Sequence, residues 1–106
     1  MAMPDGMLTA VRNYLDITWA DAEGDTKLTG IIGRGIAYID RIAGRAQDYT
    51  VPGSAQALLY DYCRYARSNA LEDYQRNFLH ELNALQLSEG VAMFAEAAAA
   101  EAAADV

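Results

Sequence analysis

Residues 25–44, DTKLTGIIGRGIAYIDRIAG, carry the pattern that decides the fold. Leucine and isoleucine recur at the three- and four-residue steps of an α-helix, so one side of the segment is apolar. We predict a helix over residues 26–43 that begins after an Asp25 N-cap and ends at Gly44, because glycine readily adopts the left-handed conformation that stops helices. Its apolar stripe comprises Leu28, Ile31, Ile32, Gly35, Ile36, Ile39 and Ile42.

Three closely spaced glycines in this segment raise the question of a nucleotide site. A dinucleotide fingerprint needs G-x-G-x-x-G after a strand, whereas here the order is G-x-x-G-x-G, no strand precedes it, and the Gly-Lys-Ser/Thr of a P-loop is missing. Each glycine costs about 1 kcal/mol relative to alanine inside a helix, so a packing role is expected. Gly35 lies in the apolar stripe and admits a partner helix. Gly30 and Gly33 share another face with Ala37, which predicts a close contact with a neighbouring subunit.

The rest of the chain also has helical spacing. Four or five segments show the helical period and none shows a sustained strand alternation. We therefore predict an all-α fold, a small bundle of four to five helices. Residues 1–6 are expected to form a flexible leader with Asp5 as N-cap, Met7 begins the first helix, and residues 16–25 form an acidic loop.

The second half of the domain is predicted to contain two helices. Ser54 is expected to cap the third helix of the chain. A break is expected near Asn69, which would cap the next helix together with Glu72 in a capping box. Gly90 is expected to end that helix and, with it, a helical domain over residues 7–90. The core side chains predicted for this helix are Phe78, Leu79, Leu82 and Leu85.

Residues 91–106 form an alanine-rich tail with nine alanines and no basic residue. Alanine is the best intrinsic helix former, so a helix is expected. The tail offers few large side chains to bury, and Phe94 is its candidate contact residue. Two interpretations remain open: a frayed helical extension without a specific role, or a segment that orders only against another subunit.

Composition limits the classes of function. The chain has 106 residues and a net charge of −7, which predicts one domain and argues against general binding to nucleic-acid backbones. No apolar run is long enough to span a membrane. The single cysteine, Cys63, is expected to fill the core in a reducing compartment, the cytoplasm. Neither Cys63 nor His80 has a local set of further ligands for a zinc site. The acidic loop does not fit an EF-hand, which would need glycine in place of Thr26 and a carboxylate in place of Ile32. We predict no metal, cofactor or catalytic site.

Aromatic and basic residues alternate on the third helix. Tyr60, Arg64 and Arg67 lie at helical spacing opposite the face that carries Leu58. Tyrosine and arginine are frequent anchors of protein interfaces, so these three residues are contact candidates. The alternative is a solvated face with a local stack. Trp19, in the acidic loop, is expected to cover one end of the core.

The order of these motifs resembles the head-tail connector proteins of tailed phages and prophages. The likeness covers about residues 7–90. It consists of a short helix ending in Tyr-Leu-x-Ile, here residues 14–17, an acidic loop, and a helix that opens with Asp25 and Leu28. A helix with Tyr-x-Arg near its end, residues 65–67, follows. The alanine-rich tail lies outside the resemblance.

The resemblance implies a non-catalytic, structural role without a cofactor. Members of that family form a ring between the portal protein and the tail or stopper proteins, and DNA passes through the ring without specific binding. It implies a location at the head-tail junction of the virion, and in the host cytoplasm during assembly. The alternatives are a small helical DNA-binding regulator or DNA-packaging adaptor, and a small helical enzyme with an unmarked site.

Overall fold

A computed structural model describes residues 3–104, which form α-helices and contain no strand. The predicted all-α bundle of four to five helices is confirmed. The five helices are α1 (Met7–Tyr14), α2 (Ala22–Ala43), α3 (Ser54–Arg67), α4 (Leu71–Asn77) and α5 (Leu79–Ala104).

Helix α2 lies at the centre of the bundle and packs most extensively against α3. The stripe predicted from its spacing is the core face, with Ile32 and Ile39 fully buried. Gly35 is buried where the two helices approach each other. A Cβ atom there would lie only 2.8 Å from both Leu59 Cδ1 and Tyr62 Cδ1. The predicted close approach of a partner helix at Gly35 is therefore confirmed, and that helix is α3.

Helix α1 begins at Met7 as predicted, but its N-cap and the start of α2 differ from the prediction. The N-cap of α1 is Gly6 in the left-handed conformation, with φ of 78°, and not Asp5. Helix α2 is capped by Asp21, whose carboxylate accepts a hydrogen bond of 2.9 Å from the Gly24 amide. Asp25 lies in the first turn, where an acidic side chain also interacts favourably with the helix dipole. Both aspartates suit a helix start, and the earlier one caps α2. The predicted stop at Gly44 is confirmed.

The caps predicted for α3 and α4 are also wrong. Ser54 is the first residue of α3, and its N-cap is Gly53, without a side-chain hydrogen bond. The chain does break at Asn69, which adopts a left-handed φ of 55° that asparagine tolerates better than most residues. The N-cap of α4 is Ala70, again without a side-chain hydrogen bond, so the capping box with Glu72 does not form.

The last predicted helix is split, and it also continues further than expected. Phe78 separates α4 from α5, and α5 passes through Gly90 to Ala104. The predicted stop at Gly90 is therefore wrong, because a glycine inside a helix only costs about 1 kcal/mol and strong helix formers surround it. Leu82 and Leu85 are buried as predicted. Leu79 is 51% exposed, contrary to the prediction.

Helix α4 is short and is held by aromatic packing. The Tyr74 side chain is buried and meets the ring of Tyr62 edge to face, with 5.4 Å between ring centroids. Tyr65 contacts Tyr74 in a similar geometry at 5.7 Å. The Tyr74 hydroxyl donates a hydrogen bond of 2.8 Å to the carbonyl oxygen of Leu58 in α3. Because of these contacts, the turn after α3 directs α4 back onto the core.

Helix α5 gives the molecule its elongated shape, with extents of 58 × 30 × 19 Å. Its 26 residues span about 39 Å at 1.5 Å per residue. The Cα radius of gyration is 16.2 Å, against about 13 Å for a compact domain of 100 residues. All residues over 94–104 are exposed. The alanine-rich tail is helical as predicted as far as Ala104, and its last two residues lie outside the described part of the chain.

Candidate interaction surfaces

The outer face of α2, on the side away from the core, carries the predicted small residues. Gly33 and Ala37 are exposed and Gly30 is half-buried. A Cβ atom on Gly33 would meet nothing within 4 Å. A hollow of about 130 Å³, lined by Met3, Gly33, Ile36 and Ala37, opens on this side of the helix. Within residues 3–104, no other helix covers Gly33, and the close contact with a neighbouring subunit stays a prediction.

A row of cations runs beside the small residues of α2. Lys27, Arg34 and Arg41 are exposed and repeat every seven residues, which places them on one face of the helix. None of the ion pairs formed among residues 3–104 includes any of the three. This basic row is not part of the sequence-based prediction, although its spacing was a usable signal.

Tyr60 and Arg64 take part in a local stack between α1 and α3. The Tyr14 hydroxyl donates a hydrogen bond of 2.6 Å to Asp61, and the rings of Tyr14 and Tyr60 lie 5.1 Å apart. The guanidinium carbon of Arg64 lies 4.7 Å from the centroid of the Tyr14 ring. Partial burial, followed by the Asp61 hydrogen bond, raises the pKa of the Tyr14 hydroxyl. The stack considered as the alternative to an interface is thus present, and Arg64 remains exposed at its outer side.

Arg67 is also exposed, and it contributes to two surfaces. With Tyr14 and Arg64 it lines a hollow of about 200 Å³. Arg67 also lines a cleft of about 310 Å³ between the end of α3 and the segment that joins α1 to α2. The Trp19 side chain is 53% exposed and lines the same cleft, so the expectation that it covers the core end is wrong. The Arg12 side chain fixes this segment by donating hydrogen bonds to the Asp25 carboxylate and the Trp19 carbonyl.

The outer half of α5 carries an exposed apolar ridge, formed by Leu87, Val91 and Phe94. Their side chains are 70%, 62% and 78% exposed. The spacings of four and three residues place them on one side of α5, opposite the buried Leu82 and Leu85. A groove of about 420 Å³ follows the ridge past Gly90. Of the three, only Phe94 was predicted from the sequence as a contact residue.

Polar contacts with the α2–α3 connection set the orientation of the ridge. Arg45 donates hydrogen bonds to Glu89 at 2.5 Å and Glu96 at 2.6 Å. The side-chain amide of Gln47 also donates to Glu89, at 3.3 Å. These hydrogen bonds, that of Arg45 first, lower the pKa of the Glu89 carboxyl. With this side of α5 held against the bundle, the ridge faces outward.

The cysteine and the histidine lie in different environments. Cys63 is fully buried, as predicted for a core filler, and burial raises the pKa of its thiol to about 12. His80 is exposed near the start of α5. Within residues 3–104, no group of three or more His, Cys, Asp or Glu side chains is placed to hold a metal ion. No helix in that range is both long and apolar enough to cross a lipid bilayer.

Comparison of the chain with known proteins finds no matching family model, curated protein or solved structure. The resemblance to phage head-tail connectors therefore remains a prediction from the order of the sequence motifs.

Proposed function

We propose that this chain is a structural subunit of a phage or prophage head-tail connector, and that copies of it form a ring between the portal and the tail. The observation that carries the proposal is the ridge of Leu87, Val91 and Phe94. Polar contacts hold this apolar surface outward, and no other residue in the range 3–104 covers it. Such a surface on a small helical protein fits assembly better than catalysis.

Two further features support a ring. A ring needs a heterologous contact, in which two different surfaces of one chain meet in successive copies. Within the described part of the chain, the ridge on α5 and the outer face of α2 are two such uncovered surfaces on separate helices. The net charge of −7 suits a channel that DNA passes through, because an acidic protein repels the phosphate backbone. The portal and the tail or stopper proteins are the proposed neighbours of the ring.

The experiment that tests this function is a measurement of assembly. The purified chain is examined from about 1 to 500 µM by sedimentation velocity, and the concentrated sample by negative-stain electron microscopy. Closed rings of uniform diameter are the expected result. A chain that remains monomeric over the whole range would contradict the proposal.

A second candidate function is that of a DNA-binding regulator or packaging adaptor. The observation in its favour is the basic row of Lys27, Arg34 and Arg41 on α2, with no acidic partner among the described residues. Three phosphate contacts predict a log–log slope of affinity against salt of about −2.7. Duplex binding with that slope at physiological salt, without ring formation, would favour this candidate over the connector.

A further inference from the structure

We propose that the ridge of Leu87, Val91 and Phe94 docks on the outer face of α2 in a second copy of this chain, so that the contact repeats from copy to copy. The inference rests on the proposed ring, because it names the surfaces that would join neighbouring subunits. It identifies one occupant for the ridge, the α2 face that includes Gly33.

The apolar parts of the two surfaces are complementary in shape. The ridge projects three large side chains, of which Phe94 is the most exposed. The receiving face lacks large side chains at Gly30, Gly33 and Ala37, and beside them lies the hollow of about 130 Å³ with Met3 and Ile36 in its wall. Small residues let a neighbouring side chain or backbone approach a helix closely. An aromatic ring from α5 would therefore find an apolar contact there.

The charges of the two helices are also complementary. Helix α5 contains no lysine or arginine, and its acidic residues are Glu81, Glu89, Glu96 and Glu101. Glu101 lies seven residues beyond Phe94, which places it on the same side of the helix as the ridge. The outer face of α2 presents the row of Lys27, Arg34 and Arg41. Glu89 and Glu96 bond to Arg45 on the opposite side of α5, so Glu101 is the acidic residue that docking would bring toward the basic row.

The main competing occupant is the ridge of a second α5. That symmetric contact would pair two helix faces that carry Glu101 and no lysine or arginine, so neither copy would offer an opposite charge to the other. It would also leave the cations of α2 without partners. The contact between α5 and α2 avoids both problems. Because the two surfaces lie on different helices, each docked copy still offers one free ridge and one free α2 face, and assembly continues until a ring closes.

A mixing experiment with two variants tests this contact. Phe94→Asp disables the ridge, and Gly33→Leu fills the receiving face. Both variants are expected to fold, because Phe94 is exposed and a Cβ atom on Gly33 meets nothing within 4 Å. Circular dichroism checks this. Ser88→Asp on α5 and Gln75→Leu on α4 are matched controls at exposed positions. Sedimentation velocity then measures assembly of each variant alone and of the equimolar mixture.

The expected result is that each variant alone is monomeric, whereas the mixture forms a dimer and nothing larger. In that dimer the intact ridge of the Gly33→Leu chain docks on the intact α2 face of the Phe94→Asp chain, and the remaining two surfaces are disabled. The controls should assemble like the original chain. Raising the salt from about 0.1 to 1 M should weaken the dimer by up to about fivefold, since exposed charge pairs are screened.

Other outcomes would overturn the inference in distinguishable ways. If Phe94→Asp prevents assembly while Gly33→Leu assembles normally, the contact joins two α5 ridges. If both variants form rings as the original chain does, other surfaces build the ring, and the connector proposal survives without this contact. If the original chain is monomeric at every concentration, both this contact and the proposed function fail.

Discussion

Substitution of Gly35 by alanine gives a direct test of the packing between α2 and α3. Two effects oppose each other. Alanine stabilises a helix interior by about 1 kcal/mol relative to glycine. Its Cβ atom, however, would lie 2.8 Å from atoms of Leu59 and Tyr62, both of which are buried. Leu59 is fully buried and the Tyr62 ring is rigid, so neither side chain moves aside freely. Overpacking of a core costs about 1–3 kcal/mol, and with about 2 kcal/mol for this contact the net loss is about 1 kcal/mol.

Gly33→Ala is the matched control, on the same helix and two residues away. Its Cβ atom meets nothing within 4 Å, so only the helix-propensity gain remains. We expect this variant to be more stable than the original chain by about 0.5–1 kcal/mol. The two substitutions are chemically identical, and their effects should have opposite signs.

The assay is urea and thermal unfolding followed by circular dichroism at low micromolar concentration, where assembly contributes little. A change of 1 kcal/mol corresponds to about 4 °C or more in the melting temperature of a chain this size. Gly35→Ala should therefore melt several degrees below the original chain and Gly33→Ala above it. Equal stabilisation of both variants would refute the reasoning, because it would mean that α3 does not approach α2 closely at Gly35.

Three further predictions concern a hydrogen bond, pH and the outer half of α5. Tyr74→Phe removes the buried hydroxyl that bonds to an α3 carbonyl and should cost about 1 kcal/mol in urea unfolding. Tyr60→Phe, the control, should change stability little. Burial raises the pKa of the Cys63 thiol from 9.0 to about 12. The neutral, buried thiol therefore contributes fully to the free energy of unfolding below pH 9. This contribution is lost as the pH rises toward 12, by up to about 1.4 kcal/mol per pH unit. In urea titrations, the free energy of unfolding of Cys63→Ala should fall less between pH 9 and 10 than that of the original chain. Arg45→Ala should speed amide hydrogen exchange over residues 91–104 and hardly change the unfolding midpoint, because solvent reaches both ion pairs of Arg45 and such pairs contribute little.

Each of these predictions has an outcome that contradicts it. Equal losses in Tyr74→Phe and Tyr60→Phe would mean that the buried hydrogen bond contributes nothing. Parallel decline of the original chain and Cys63→Ala above pH 9 would assign the loss to other groups. Unchanged exchange in Arg45→Ala would show that other contacts hold the outer part of α5.

The sequence alone was sufficient for the features that depend on local physics. Helical spacing predicted the all-α class and the core face of α2. The left-handed preference of glycine predicted the stop at Gly44. The break near Asn69 was predicted from a capping box that does not form, and Asn69 instead adopts a left-handed conformation there. Glycine in an apolar stripe predicted the close approach at Gly35. The exact start of α2 was not predicted, because Asp21 and Asp25 are both good first-turn or cap residues and local preference does not separate them.

The tertiary structure decided which surfaces remain uncovered. Helix α5 continues through Gly90, and Arg45 holds Glu89 and Glu96 although 44 and 51 residues of sequence separate these partners. No local pattern reports such long-range pairs, so the outward ridge at Leu87 could not be read from spacing. The packing of α3 and α5 on one side of α2 likewise left the Gly33 face open. The sequence determined which helices form and which side of α2 is apolar. Contacts between distant residues decided which faces are buried against each other and which face solvent.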